Sequence, residues 1–201
     1  MGGGMSIDRG FDVSYVGVPP WDIGRPQREV IALMDAGAFS GEVIDVGCGT
    51  GENALALAEG GAQVLGIDAS PRAVGKAIGK ARDRGLSEAA EFLVADVFAL
   101  EGLGRRFDAA LDCGLFHVFD DHERPVYAAS LAGVVSSGGA LHLLCFSDRY
   151  PPGRGPRRLT EQEIRETFTD PWRTREIVPT IFETHLDDPD VPAWRASIDR
   201  V

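Results

Sequence analysis

Short apolar runs alternate with amphipathic stretches along most of this chain. Val43-Ile44-Asp45-Val46, Gln63 to Asp68, Glu91 to Val94, Phe107 to Asp112 and Ala140 to Phe146 are brief and mainly apolar, and they predict strands. Helical spacing fills the gaps. Gln27 to Phe39 places Val30, Ile31, Leu33 and Met34 on one side, and Gly37 can end it. Asn53 to Glu59 predicts a second helix that stops at Gly60-Gly61. Pro71 suits the first turn of a third, running to about Arg84 with Gly85 as its C-cap. Asp121 to Val135 predicts a fourth, closed by Ser136-Ser137-Gly138-Gly139. Such strand–helix alternation predicts a parallel sheet covered on both faces.

The pattern changes after Phe146. Pro151-Pro152-Gly153 predicts a loop, and Thr160-Glu161-Gln162-Glu163 is a capping-box sequence that predicts a helix start. Arg173 to Phe182 and Ala193 to Arg200 predict two strands joined by Asp187-Asp188-Pro189-Asp190, an antiparallel hairpin at one sheet edge. Residues 1–18 show no clear period and are expected to be a flexible N-terminal segment ahead of one domain over 19–201. Met1-Gly2-Gly3-Gly4-Met5 has neither the basic region nor the apolar stretch of a signal peptide.

Charge and cysteine content narrow the function classes. The formal net charge of -11 disfavours nucleic acid and anionic membrane surfaces as partners. The basic cluster Arg154-Gly155-Pro156-Arg157-Arg158 is expected to be a solvated loop. The three cysteines, Cys48, Cys113 and Cys145, show no zinc-ligand spacing, so no metal is expected and reduced thiols in the cytoplasm are. No apolar run reaches the length of a membrane span.

The densest local pattern is Val46-Gly47-Cys48-Gly49-Thr50-Gly51, between a predicted strand and a predicted helix. Glycines there let a ligand approach the backbone, and the helix start offers free N–H groups. A phosphate-clamping loop would need a Lys after the glycines, and there is none. A dinucleotide site wants its third glycine where Glu52 stands. The pattern here is Asp45-x-Gly47-x-Gly49-x-Gly51, followed by an acid at each of the next two strand ends, Asp68 and Asp96.

Over residues 40–148 this arrangement resembles the class I S-adenosylmethionine-dependent methyltransferases. The resemblance implies an α/β, Rossmann-like fold: a seven-stranded, mostly parallel sheet with an antiparallel edge strand and helices on both faces. It implies S-adenosyl-L-methionine as cofactor, leaving as S-adenosyl-L-homocysteine. Asp45, Gly47, Cys48, Gly49 and Gly51 match the first motif. Asp68, with Ala69, matches the acid that bonds ribose hydroxyls, and Asp96, with Val97, the one at the adenine edge. Asp112 and Cys113, in Leu111-Asp112-Cys113-Gly114, match the fourth motif. Pro20-Trp21-Asp22-Ile23-Gly24-Arg25-Pro26-Gln27 is similar to the N-terminal signature of the thiopurine, thiol and halide group and of small heterocycle methyltransferases. That implies Trp21 and Arg25 at the cofactor lid.

For the methyl acceptor, the segment after the fourth strand carries Phe116, His117 and Phe119. The two rings could wall a flat acceptor, His117 could serve as a general base, and Tyr150 could cover the site. The expected reaction is in-line methyl transfer to a small nucleophile: a heterocycle, phenol, thiol or halide. A NAD(P)-dependent oxidoreductase and a non-catalytic S-adenosylmethionine-binding module remain alternatives, and monomer and homodimer stay open.

Overall fold

The computed structural model of the chain describes residues 10–151, 153, 156–187 and 189–201. The leader Met1 to Met5, Pro152 of the expected loop, Arg154 and Gly155 of the basic cluster, and Asp188 of the hairpin connection lie outside the described residues.

The alternating pattern folds as it predicts. β1 (Glu42–Val46), β2 (Gln63–Asp68), β3 (Ala90–Val94), β4 (Phe107–Cys113) and β5 (Val135–Phe146) run parallel. β6 (Trp172–Glu183) and β7 (Asp190–Arg200) complete a seven-stranded sheet in the order β3-β2-β1-β4-β5-β7-β6. The antiparallel strand is β7, which inserts between β5 and the outermost strand β6. The helices are α1 (Phe11–Ser14), α2 (Arg28–Asp35), α3 (Glu52–Glu59), α4 (Pro71–Asp83), α5 (Glu123–Val134) and α6 (Glu161–Thr167).

Both faces of the sheet are buried at its central strands β1, β2 and β4, which is why these are mainly apolar. On one face Ile44, Val46, Leu65, Ile67 and Ala110 pack with Tyr127, Leu131 and Ile164. On the other, Val43, Val64, Ala109 and Leu111 pack with Val30, Leu55, Val74 and Ala77. Local signals set the helix ends. Ser70 accepts from the Ala73 N–H at 3.1 Å with Pro71 at the first turn, and Thr160 and Glu163 form the expected reciprocal cap.

Two local expectations change. Residues 10–18 of the expected flexible segment pack on the domain: Phe11–Ser14 is helical, Tyr15 is buried, and Asp12 accepts from Ser70 Oγ at 2.6 Å and pairs with Arg72. The pattern missed this because a single helical turn held by one carboxylate leaves no period. The Ser136 to Gly139 turn is instead the start of β5, and the ladder to β4 shifts register there, from Phe107–Val135 to Ala109–Ala140. Such an irregularity absorbs extra residues without ending the strand. His122 is the N-cap of α5.

Candidate active site

The register brings the carboxyl ends of the parallel strands level. Val46 lies beside Ile67 on one side and Asp112 on the other. Loops leaving these ends, with the N-terminal arm folded over them, enclose a cavity of about 370 Å³. Carboxyl ends at the point where strand order reverses are where open α/β sheets bind ligands.

One half of the cavity is the glycine loop. Gly47, Gly49 and Gly51 all have positive φ, at 71°, 54° and 86°. A Cβ on Gly47 would lie 2.9 Å from the Leu115 Cβ, and one on Gly51 2.9 Å from the Ala77 Cβ. Both backbone conformation and close packing therefore demand glycine. Asp68 braces the loop: its Oδ2 accepts from the Gly49 N–H at 2.9 Å and its Oδ1 from the Ser70 N–H at 2.8 Å. Cys48, Ala69, Val97, Asn53 and Phe98 continue the lining.

Asp45 lies beneath the loop and does not line the cavity. It accepts from the Ala54 N–H in the first turn of α3, a favourable place for a carboxylate, but its Oδ2 has no partner. Burial, followed by the charges of Asp112 and Asp68, pushes its pKa up to about 8. The unpartnered oxygen is buried beneath the loop and not presented to the cavity.

Asp112 departs from its expected role. It is fully buried and turned away from the cavity. Its Oδ1 accepts from the Leu115 and Phe116 N–H groups, at 2.9 and 3.1 Å, and its Oδ2 from the Tyr127 hydroxyl at 2.5 Å. It shapes the turn after β4 instead of meeting a ligand. Burial raises its pKa to about 6 against these bonds. Asp96 is half-buried: its Oδ1 accepts from the Phe98 N–H at 2.8 Å, while its neighbours Ala95 and Val97 form the wall.

The other half of the cavity is apolar. Leu115, Val118, Phe119, Phe146, Phe182, Tyr150 and Leu186 line it, with Cys113 and His117. Phe146 and Phe182 meet edge to face with centroids 5.3 Å apart. Phe116 is not among them: its ring turns into the core against Phe168 and Tyr127. Position after the fourth strand marked an aromatic pair there but could not say which ring faces inward. Burial pushes the Cys113 thiol up, which leaves it a poor nucleophile. His117 is also buried, and its Nδ1 accepts from the Phe146 N–H at 3.0 Å. Burial, with the nearby Arg158 charge, pulls its pKa down to about 3.

The N-terminal arm closes the cavity. Trp21 donates from Nε1 to the Tyr15 hydroxyl at 3.0 Å, and both rings line it. Arg25 lines it too, but its guanidinium makes a two-point ion pair with Glu183, at 3.1 and 2.9 Å. Gln27 donates to the Glu183 carbonyl and accepts from its N–H, so the arm is latched to the end of β6. The Arg25 guanidinium, with the Arg28 N–H and charge, holds the Glu183 pKa down to about 2. Tyr15, Phe146, Phe182 and Leu186 were not expected at the site. Tyr15 comes from an aperiodic arm, Leu186 from the connection between β6 and β7, and the two Phe rings from strand ends where ordinary strand patterning hides a cavity-facing residue.

Charge separates the two halves. Asp22, Glu52 and Asp68 line the loop half, with Asp45 beneath. Glu52 is paired with Lys80 and Arg84, at 2.8 and 2.7 Å. Among the described lining residues the only Lys or Arg is Arg25, already held by Glu183. Such a pocket suits a cation better than a pyrophosphate. Among the described residues no group of three or more His, Cys, Asp or Glu could hold a metal, and no helix is long and apolar enough to cross a membrane.

Known proteins agree with this geometry. Residues 43–139 match the family described as Methyltransferase domain. A 2-heptyl-1-hydroxyquinolin-4(1H)-one methyltransferase of Mycobacteroides abscessus is 37% identical over 163 residues, covering 80% of this chain and 71% of that protein. A probable thiol methyltransferase 2 of Arabidopsis thaliana is 30% identical over 161 residues, 79% of this chain and 71% of that one. A structure solved in work on the conversion of a disulfide bond into a thioacetal group during echinomycin biosynthesis superposes with a TM-score of 0.86 at 34% identity. It covers 94% of this chain and 91% of that one.

Proposed function

Because the chain belongs to the class I S-adenosylmethionine-dependent methyltransferases, we propose that it methylates a flat, largely apolar small molecule, an N-hydroxy heteroaromatic compound or a thiol, without a metal. The single observation that carries this reading is the division of one cavity into an acidic glycine-loop half and an aromatic half.

When bound, S-adenosylmethionine supplies a methyl group on a sulfonium, open to in-line attack. Asp68 would accept from the ribose hydroxyls with the oxygens that already brace the loop. Gly47, Gly49 and Gly51 allow close backbone approach, and Val97 and Phe98 would flank the adenine. Asp22 and Asp68, which line the loop half, would answer the positive end. Trp21 and Tyr15 would exclude water, with Arg25 acting through its latch to Glu183 and not as a ligand. Phe119, Phe146, Phe182 and Tyr150 would hold the acceptor plane.

Catalysis then rests chiefly on alignment and dryness, effects worth up to about 7–11 kcal/mol in favourable cases. The acceptor classes follow the relatives that act on a hydroxyquinolone and on thiols. The test is direct. Calorimetric titration with S-adenosylhomocysteine should show one site, and methyl transfer should be seen with 2-heptyl-1-hydroxyquinolin-4(1H)-one or thiophenol. Folded protein that binds S-adenosylhomocysteine but methylates only aliphatic amines would overturn the acceptor assignment.

A further inference from the structure

His117 occupies the acceptor half, and the structure fixes its protonation by backbone geometry. β4 stops pairing with β5 at Cys113–Leu144, and the chain turns away at Gly114, φ 91°. The Phe146 N–H, two residues further along β5, is left without a β4 partner. The imidazole Nδ1 takes that place at 3.0 Å. A buried N–H requires an acceptor, so Nδ1 must keep its lone pair. A neutral ring then carries its proton on Nε2.

No described residue bonds Nε2, and the side chain lines the cavity. The ring therefore shows the acceptor a donor and no lone pair. The groups near it offer no substitute base. Cys113 and Tyr150 share this half, Arg158 brings positive charge to the ring, and no carboxylate lines the segment from Cys113 to Tyr150. Cation formation would place a second charge in a buried aromatic setting beside Arg158 and remove the acceptor of the Phe146 N–H.

We propose that His117 is a hydrogen-bond donor, through Nε2–H, to an acceptor that arrives already ionised, and that it thereby restricts the enzyme to acidic nucleophiles such as N-hydroxy heteroaromatics and aryl thiols. This rests on the methyltransferase reading above and replaces the expectation of a general base. The balance is simple. The anion's lone pair forms the bond to the methyl carbon as the carbon–sulfur bond breaks toward sulfur. The anion and the sulfonium both become neutral, and no proton has to be taken up. His117 orients the anion by a charge-assisted bond.

Nitrogen-15 NMR of the imidazole, with and without S-adenosylhomocysteine, reads this independently of turnover. The neutral Nε2–H form should persist unchanged between about pH 5 and 8. An Nδ1–H form, or a cation appearing in that range, overturns the proposal. In kinetics, the acid limb of kcat/KM should move with the pKa of the acceptor across 2-heptyl-1-hydroxyquinolin-4(1H)-one and a series of substituted thiophenols. A limb fixed at one pH for every acceptor indicates an enzyme base and overturns it. His117→Gln keeps a donor and cannot act as a base, so it should retain activity within about tenfold. His117→Phe should lose about 10- to 100-fold, with S-adenosylhomocysteine affinity intact in both. Equal loss in the two variants counts against the donor role. Failure of the wild-type protein to bind S-adenosylhomocysteine would refute the cofactor assignment while the NMR result still stood.

Discussion

The two halves of the cavity are built by opposite means. The glycine-loop half comes from contiguous motifs: Asp45 to Glu52 and Asp68 to Ser70 supply its loop, its brace and its charge. The aromatic half is gathered from segments far apart in the chain: the turn after β4, the end of β5 and the end of β6. On the proposed reading, the first would hold a charged, hydroxyl-rich ligand by geometry that tolerates little change. The second is a wall of rings that can be recut for a new acceptor while the sheet stays the same. That asymmetry lets one fold serve many acceptors, with the fold naming the chemistry and the wall naming the substrate.

The sharpest way to break this comparison is at Asp68. Asp68→Ala removes the acceptor of the Gly49 N–H and the proposed ribose contacts together. Calorimetry should find S-adenosylhomocysteine affinity lowered by about 100-fold or more, since two charge-assisted bonds contribute about 1.5–3 kcal/mol each. Retained affinity would mean the loop half is not the cofactor half.

Phe182→Ala tests the other half. It removes a ring packed on Phe146 and should raise the acceptor KM about tenfold, with S-adenosylhomocysteine affinity unchanged. It should also cost about 3–5 kcal/mol of stability in a denaturant titration, as a buried Phe-to-Ala change does.

Asp45 sharpens the comparison through pH. Its folded pKa, about 8, lies above the ordinary 3.8, because burial and two neighbouring carboxylates oppose its charge. A raised folded pKa means the folded protein holds the proton more tightly. The stability linked to that proton is therefore complete below about pH 4 and lost as pH rises through about 8. Asp45→Asn should leave the melting temperature unchanged near pH 4 and raise it by about 5 °C near pH 8. A constant difference across that range would show that Asp45 is ionised throughout.

The smallest effect is expected at the latch. Glu183→Gln loosens Arg25 and Arg28 and should weaken S-adenosylhomocysteine about 3- to 10-fold, mainly through faster release in stopped flow. The Glu183 pKa is depressed to about 2, so its contribution is full above the usual carboxylate range and lost as pH falls toward 2. Wild type and variant should therefore differ equally from pH 6 to pH 8 and converge in strong acid.

Much of the fold was legible in the chain because its signals are local. Strand and helix periods, Pro71 and the Thr160–Glu163 box each act over a few residues, and the structure uses each as expected, while Gly85 stands with positive φ one residue past Arg84, the actual C-cap. The glycine loop and Asp68 were legible for the same reason. The role of Asp112 was not: its position at a strand end marks it as a candidate ligand, and only the turn it caps shows both oxygens engaged. Phe116 was misassigned to the cavity because a short turn rotates adjacent rings to opposite sides. Tyr15, Phe146 and Phe182 escaped because nothing in a strand or an aperiodic arm distinguishes a ring that lines a cavity from one that fills a core.

The sequence by itself determined the alternating sheet, the glycine loop, and an acidic setting suited to a cation; these depend on contacts within one strand–loop–helix unit. Tertiary structure decided the rest. It inserted β7 between β5 and β6, latched residues 25–28 onto Glu183, and ended the β4–β5 pairing just short of Phe146. That last event turns His117 from a candidate base into a group whose lone pair already belongs to the backbone. No neighbouring residue in the chain foretells it, because the N–H that claims the ring comes from 29 residues away, across the end of a sheet.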